Sequence, residues 1–313
     1  MDFIGTQVNQ LALKSSNLED FLTVTYCIVD ELYQPLAHLV KRPGPSPRFS
    51  DSELICLHLV GQMMYDSQLA WYNYVAKNYL HLFPDLLEAS RYHRRCKALQ
   101  KLIEIIREHL LIFMQTHLQS WHVMDSMPIP VCKYSRAGRN KRFAYQLEVE
   151  HSSLYGHCAS QKQDIYGFKL HLMVTAQGIP VHYLLAPSAH HDVTIAPELL
   201  ESYRENILVL FDKGYVGLPK RMIHPENYQL VIQQRDNQKE NTKAEKMLLA
   251  QFRKTIETTN SILTEQFNIQ YTRAKTAWGL KDKIIAKITA CTYLIFLNFI
   301  LKENLLDIKS FIF

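Results

Sequence analysis

The sequence predicts an α/β protein with an all-helical opening region and a second, larger region in which strands and helices alternate. Three observations predict it. Apolar residues recur at helical spacing through the first 117 residues, punctuated by caps and prolines. Two short apolar runs, Trp121 to Asp125 and Ile207 to Asp212, each end on an aspartate, as buried strands do at a sheet's ligand edge. Between them, residues 166–175 alternate strictly, and Gln177-Gly178 turns the chain back into a second strand, 179–186.

A chain of 313 residues with 47% hydrophobic content can build a real core in two regions. The division expected is a helical, helix-turn-helix-like region over 1–117, a strand-and-helix region over 118–302, and a tail over 303–313. A formal charge of +5 is modest, so where the charges sit matters more than their sum. Six scattered cysteines form no C-x-x-C pair, which argues against a zinc ribbon and for a reducing cytoplasm. The first five residues lack the basic start of a signal peptide. Residues 288–301 are apolar but too short for a bilayer, so a buried helix and no membrane partner are expected. No glycine loop of the phosphate- or dinucleotide-binding type occurs.

In the helical region, 18–33 has helical spacing and Pro35 closes it. Ser50 to Glu53 reads as a capping box that starts a second helix. A long helix is expected over 90–117. Arg91, Arg94, Arg95 and Lys97 then lie at its amino end, where the macrodipole disfavours cations. Such a cluster fits DNA contact through a groove-docked helix, or else a solvated basic face of a plain bundle.

In the second region, Pro128 is expected to end the first strand. Residues 133–164 carry little secondary-structure signal and hold Lys133, Arg136, Arg139, Lys141 and Arg142 before any acid. They read as a mobile surface loop or, preferred here, as an arm gripping a phosphate backbone. Asp192 reads as the N-cap of a helix, a better fit for the His190-His191-Asp192 cluster than metal ligation. After a short strand at 228–233, Leu248, Phe252, Ile256, Thr259 and Leu263 form one buried helical stripe, with Arg253, Glu257 and Asn260 on its flank. The Arg253 and Glu257 spacing also fits an exposed helical ion pair.

Asp125, Asp212 and Glu257 thus converge as strand-acid, strand-acid and helix-acid. Carboxylates brought to one point repel unless cations lie between them. Phosphodiester cleavage by two carboxylate-held ions roughly 3.5–4 Å apart needs this arrangement. Magnesium, with manganese as substitute, suits all-oxygen donors. Asp125 and Asp212 would be direct ligands, Glu257 would complete the second ion's site, and Arg253 would orient Glu257 or touch a phosphate.

The motifs Met124-Asp125-Ser126, Tyr166-Gly167-Phe168-Lys169, His191-Asp192, Phe211-Asp212-Lys213-Gly214-Tyr215 and Arg253-x-x-x-Glu257-x-x-Asn260 resemble those of bacterial insertion-sequence transposases of the DDE class, and the insertion-sequence 982 family in particular. The resemblance spans nearly the whole chain. It implies a ribonuclease-H-like mixed-sheet core behind a helical DNA-binding region, with an acidic triad at Asp125, Asp212 and Glu257. It also implies two divalent metals, double-stranded DNA (element ends and target) as partner, 3′-hydroxyl strand transfer, and a homodimer on paired ends. Related transposases carry a tyrosine and a lysine where this chain has Ala250 and Thr264; Arg273 and Lys275 would supply replacement charge. The alternatives are a catalytically silent DNA-binding protein of the same fold, or a ribonuclease-H-like nuclease without strand transfer.

Overall fold

The computed structural model describes residues 17–158, 162–235 and 237–311, with only the backbone at 252. The first five residues and the Phe252 side chain, used above, lie outside the described residues. In chain order the helices begin with α1 (Leu18–Tyr33), α2 (Asp51–Met64), α3 (Gln68–Asn78), α4 (Ala89–Ala98) and α5 (Gln100–Phe113). Then come β1 (Trp121–Pro130), α6 (Arg142–Leu147), β2 (Tyr155–Cys158), β3 (Gln163–Thr175), β4 (Pro180–Pro187), α7 (Asp192–Glu201), β5 (Ile207–Phe211), β6 (Tyr228–Ile232), α8 (Lys243–Glu265) and α9 (Ala277–Leu301).

Contacts gather the chain into two compact units. The first holds Met1–Met114, Gln266–Asn268 and Trp278–Phe313. Its helix α2 starts at the capping box expected from sequence: Glu53 N–H donates to Ser50 Oγ (3.1 Å) and Ser50 N–H to Glu53 Oε2 (2.6 Å). Gly61 on α2 is required by packing, since a Cβ there would stand 2.5 Å from the Trp71 indole of α3. Trp71 Nε1 in turn donates to the Leu57 carbonyl at 2.8 Å.

The sequence division at 302 put α9 with the sheet, whereas contacts place all of it but Ala277 with the amino-terminal helices. The reason is its packing: Tyr293 donates to Thr25 Oγ1 of α1 at 3.1 Å, and Phe296 meets Phe113 edge-on at 5.3 Å. Phe311, assigned to a tail, is buried beside Phe21. Helix α9 has 25 residues, longer than the apolar run alone, and is long and apolar enough to cross a bilayer. Yet 89% of its most apolar window is buried inside the protein, as in a core helix.

The basic helix also differs from expectation. Leu99 (φ −92°, ψ 6°) breaks the long helix into α4 and α5. Arg95 and Lys97 therefore lie in the last turn of α4, where the macrodipole favours cations. Glu88 caps the amino end through the Ser90 and Arg91 amides. The unfavourable end of the dipole therefore does not meet Arg95 or Lys97. Arg95 is drawn inward: its guanidinium donates to the Phe49 carbonyl and, with Arg42, to Asp51. Tyr33 Oη donates to the same carboxylate at 2.8 Å. Burial opposes the charge on Asp51, but these donors outweigh it and hold its pKa below the usual range.

The second unit, Gln115–Glu265 with Ile269–Ala277, is built on a six-stranded sheet. Strand β3 pairs antiparallel with β1 and β4 on its two sides and with β2 along its start; β1, β5 and β6 run parallel. Strand β1 does not end at Pro128. It continues opposite β3 to Pro130, while its pairing with β5 stops at Val123. Beyond that point, among the described residues, no second strand pairs with β1 on that edge, so a residue without an N–H is tolerated there. Gly167 of β3 crosses β1 closely, where a Cβ would fall 2.4 Å from the Ile129 carbonyl. The expected loop 133–164 is largely folded: α6 buries Phe143 and Ala144, and Tyr166 hydroxyl donates to the Asn140 carbonyl at 2.5 Å.

Replacing Asp51 with Ala would strand two guanidinium groups, and urea unfolding should show a loss of about 2–3 kcal/mol. A loss as small as that of an exposed substitution such as Arg94→Ala would contradict the structural role given to Arg95.

Candidate active site

The register Trp121↔Leu208, His122↔Val209, Val123↔Leu210 runs β1 and β5 in parallel. Two residues further along each strand stand Asp125 and Asp212, level with one another. Asp212 follows the last residue of β5 and caps the turn Lys213–Tyr215, its Oδ1 accepting the Gly214 N–H at 2.8 Å. Asp125 lies within β1; its Oδ1 accepts the Ser126 N–H at 2.8 Å, and its Oδ2 accepts Asn260 Nδ2 from α8 at 3.0 Å.

Helix α8 is seated by its buried stripe. Ile256, Thr259 and Leu263 face inward, and Thr259 hydroxyl donates to the Gly178 carbonyl at the β3–β4 turn at 2.9 Å. Residues flanking Thr259 are thereby turned toward the strand ends. Glu257 joins Asp125 and Asp212 in one pocket of about 70 Å³, with Gln233 and Arg253 at its rim and Val123, Leu210 and Ile256 along its wall. Arg253 Nε donates to Glu257 Oε1 at 2.8 Å, the helical ion pair that the spacing allowed.

Burial and mutual repulsion dominate the electrostatics. Desolvation, joined by the charges of Asp212, Asp192 and Glu257, pushes Asp125 up to about 7 despite the Ser126 amide. Asp212 is also raised, by desolvation and then Asp192, with the Gly214 amide and Arg253 opposing. Asp192 is thus a fourth acid in this field. It is not an N-cap as expected: His191 takes that place, and Asp192 is the first helical residue of α7, paired with Lys169 Nζ at 3.0 Å. Buried Tyr215 senses Asp192, Asp125 and Asp212, which adds to the desolvation that raises its phenol.

As placed, among the described residues, no three His, Cys, Asp or Glu side chains stand close enough to hold an ion together. The donor set nonetheless fits a hard divalent cation. Three carboxylates share a pocket, the raised proton affinity of Asp125 marks a negative field that Arg253 does not cancel, and Asp212 Oδ2 lies outside the bond to Gly214.

A family model for the transposase DDE domain matches residues 119–295, more than half of the chain and all three acids. The chain belongs to this transposase family. No curated protein and no solved structure matches it. The sheet and helices of the second unit make up the ribonuclease-H-like α/β core expected of a DDE transposase.

The cations named from sequence fall into separate groups in this transposase. Arg91, Arg94 and Lys97 are exposed on α4, and Arg95 is not available. Arg136, Arg139, Lys141, Arg142 and Lys275 line one open basin of about 440 Å³ with no acid in its lining. Lys133 and Arg273 are exposed close to it in sequence. Ala250 borders a further polar pocket with Gln233, Gln234 and Asn241. From the sequence, Asn260 and Lys169 had no assigned role and Asp192 only a capping one. The motif offsets Lys169 and Asn260 were visible, but their partners are 23 and 135 residues away.

Asp125 binds its proton more tightly in the folded chain than in the unfolded one, so it stabilises below about pH 4 and that contribution is lost as pH rises toward 7. In EDTA at pH 8, Asp125→Asn should therefore melt higher than the parent, by about 2–4 °C for each kcal/mol relieved. The gap should close near pH 4; a lower melting temperature at pH 8 would count against the repulsion described.

Proposed function

We propose that this transposase binds the ends of a mobile element, cuts phosphodiester bonds there with divalent cations, and joins the freed 3′-hydroxyl to target DNA. The observation that carries the reading is the common pocket of Asp125, Asp212 and Glu257. Asp125 and Asp212 would hold the cations directly, and Glu257 would complete the set in exchange for its bond to Arg253. Two Mg²⁺ ions, with Mn²⁺ substituting, would activate the attacking water or 3′-hydroxyl and stabilise the leaving oxygen.

The chain's own groups do the positioning. Asn260 fixes Asp125 Oδ2, and the Gly214 amide fixes Asp212 Oδ1. Arg253, relieved of Glu257, would place its guanidinium against a phosphate. The apolar wall of Val123, Leu210 and Ile256 limits water at the reacting bond. Away from the pocket, the acid-free basin and the exposed cations of α4 would each grip phosphate backbone, so affinity should fall steeply with salt. Joining two element ends calls for two copies, hence a homodimer on paired ends.

The test uses purified protein and labelled duplex from the DNA flanking its gene, in Mg²⁺, Mn²⁺ or EDTA. Cuts at one defined edge, joined products in added target duplex, and at least a roughly 100- to 1,000-fold loss in Asp212→Asn are expected. Cuts that persist in Asp212→Asn would refute the assignment. Cuts without joined products would leave a nuclease, and salt-sensitive binding without cuts a silent DNA-binding protein.

A further inference from the structure

The basic basin has a second property that a phosphate grip does not need. Helix α6 forms one side of it through Arg142, whose guanidinium donates to the Lys275 carbonyl at 3.4 Å. One turn on, Gln146 Oε1 accepts the Ala277 N–H at 2.9 Å, so α6 is bound twice to the segment that carries Arg273 and Lys275. Between these two attachments stands Tyr145, three residues from Arg142 and on the same helix face. Tyr145 is 84% exposed. Tyr271, in the attached segment, is 64% exposed, and Tyr134, next to Lys133, is 47% exposed. Glu148 and Glu150 lie past the far end of α6, outside the basin's lining.

Bare aromatic rings among cations lose apolar burial unless something flat covers them. Duplex DNA cannot do so, because its bases are stacked on one another, whereas unpaired bases can stack on side chains while their phosphates meet cations. The basin's volume of about 440 Å³ is that of a small-ligand cleft.

We infer that this face binds single-stranded DNA, with Tyr145 as a base-stacking platform and Arg136, Arg139, Lys141, Arg142 and Lys275 as its phosphate contacts. In the transposition reaction it would take an unpaired stretch at the element end, a role that rests on the protein acting on DNA. Tyr145 is not among the residues that line the catalytic pocket, so binding here and cutting there are separable by substitution.

The full chain is titrated with a fluorescent oligothymidylate and with a duplex of equal length, read by anisotropy, with melting curves to show that each variant folds. Tyr145→Ala should weaken single-strand binding at least about fivefold and leave duplex binding within about twofold, while Tyr145→Phe keeps the parent affinity. Lys275→Gln should weaken both ligands and flatten the salt dependence. Asp212→Asn, expected to lose cutting, should bind the single strand as the parent does, so failure of the catalytic reading is seen apart from failure of this one. No single-strand binding by the parent, an undiminished affinity in Tyr145→Ala, or equal losses on both ligands would overturn the inference.

Discussion

Ionisation of Asp125 is opposed by burial and by the charges of Asp212, Asp192 and Glu257, and the Ser126 amide only partly offsets them. That opposition is a consequence of how the second unit is assembled. Parallel pairing of β1 and β5 brings Asp125, inside β1, level with Asp212 at the end of β5, and the bond from Thr259 to the Gly178 carbonyl seats α8. Every element that shapes the site also tightens the repulsion. A protein that folded only for stability would place an amide at one of these positions, since like charges that cannot separate cost free energy. Hydrogen bonds from Asn260, Gly214 and Arg253 orient the three carboxylates without neutralising the pocket, which leaves room for a counterion of higher charge.

What was legible in the sequence was local. The capping box at Ser50 and Glu53, the hairpin around Gln177-Gly178, the apolar runs leading to Asp125 and Asp212, and the inward face of α8 at Ile256, Thr259 and Leu263 depend on neighbours within a few residues, and the structure contains each of them. Leu248 of the expected stripe is only half-buried. The rest depended on distant partners. Nothing near Arg95 announces Asp51, 44 residues away, and nothing in the apolar run of α9 announces Thr25, 268 residues away. Leu99 breaks a helix without a proline or glycine, so the dipole argument built on one long helix had the wrong sign for Arg95 and Lys97. Pro128 misled for a similar reason, since its tolerance comes from where β5 stops.

The cations divide by what they touch. Arg95 and Arg42 are fixed on a buried carboxylate, and Arg253 is tied to Glu257. Those lining the basin face solvent with no acid among them. Clustering along the chain does not separate these cases, because a guanidinium turned inward and one turned outward have the same sequence. Burial of the partner decides.

The central claim is that repulsion among Asp125, Asp212 and Glu257 is relieved by divalent cations bound at that pocket. Electron paramagnetic resonance of Mn²⁺ titrated into the full chain at pH 7.5 tests it without requiring knowledge of the DNA sequence. The account predicts up to two bound ions per chain, displaced by Mg²⁺, and loss of that binding in the Asp125→Asn, Asp212→Asn double variant. Mn²⁺ bound equally well by the parent and the double variant would contradict it.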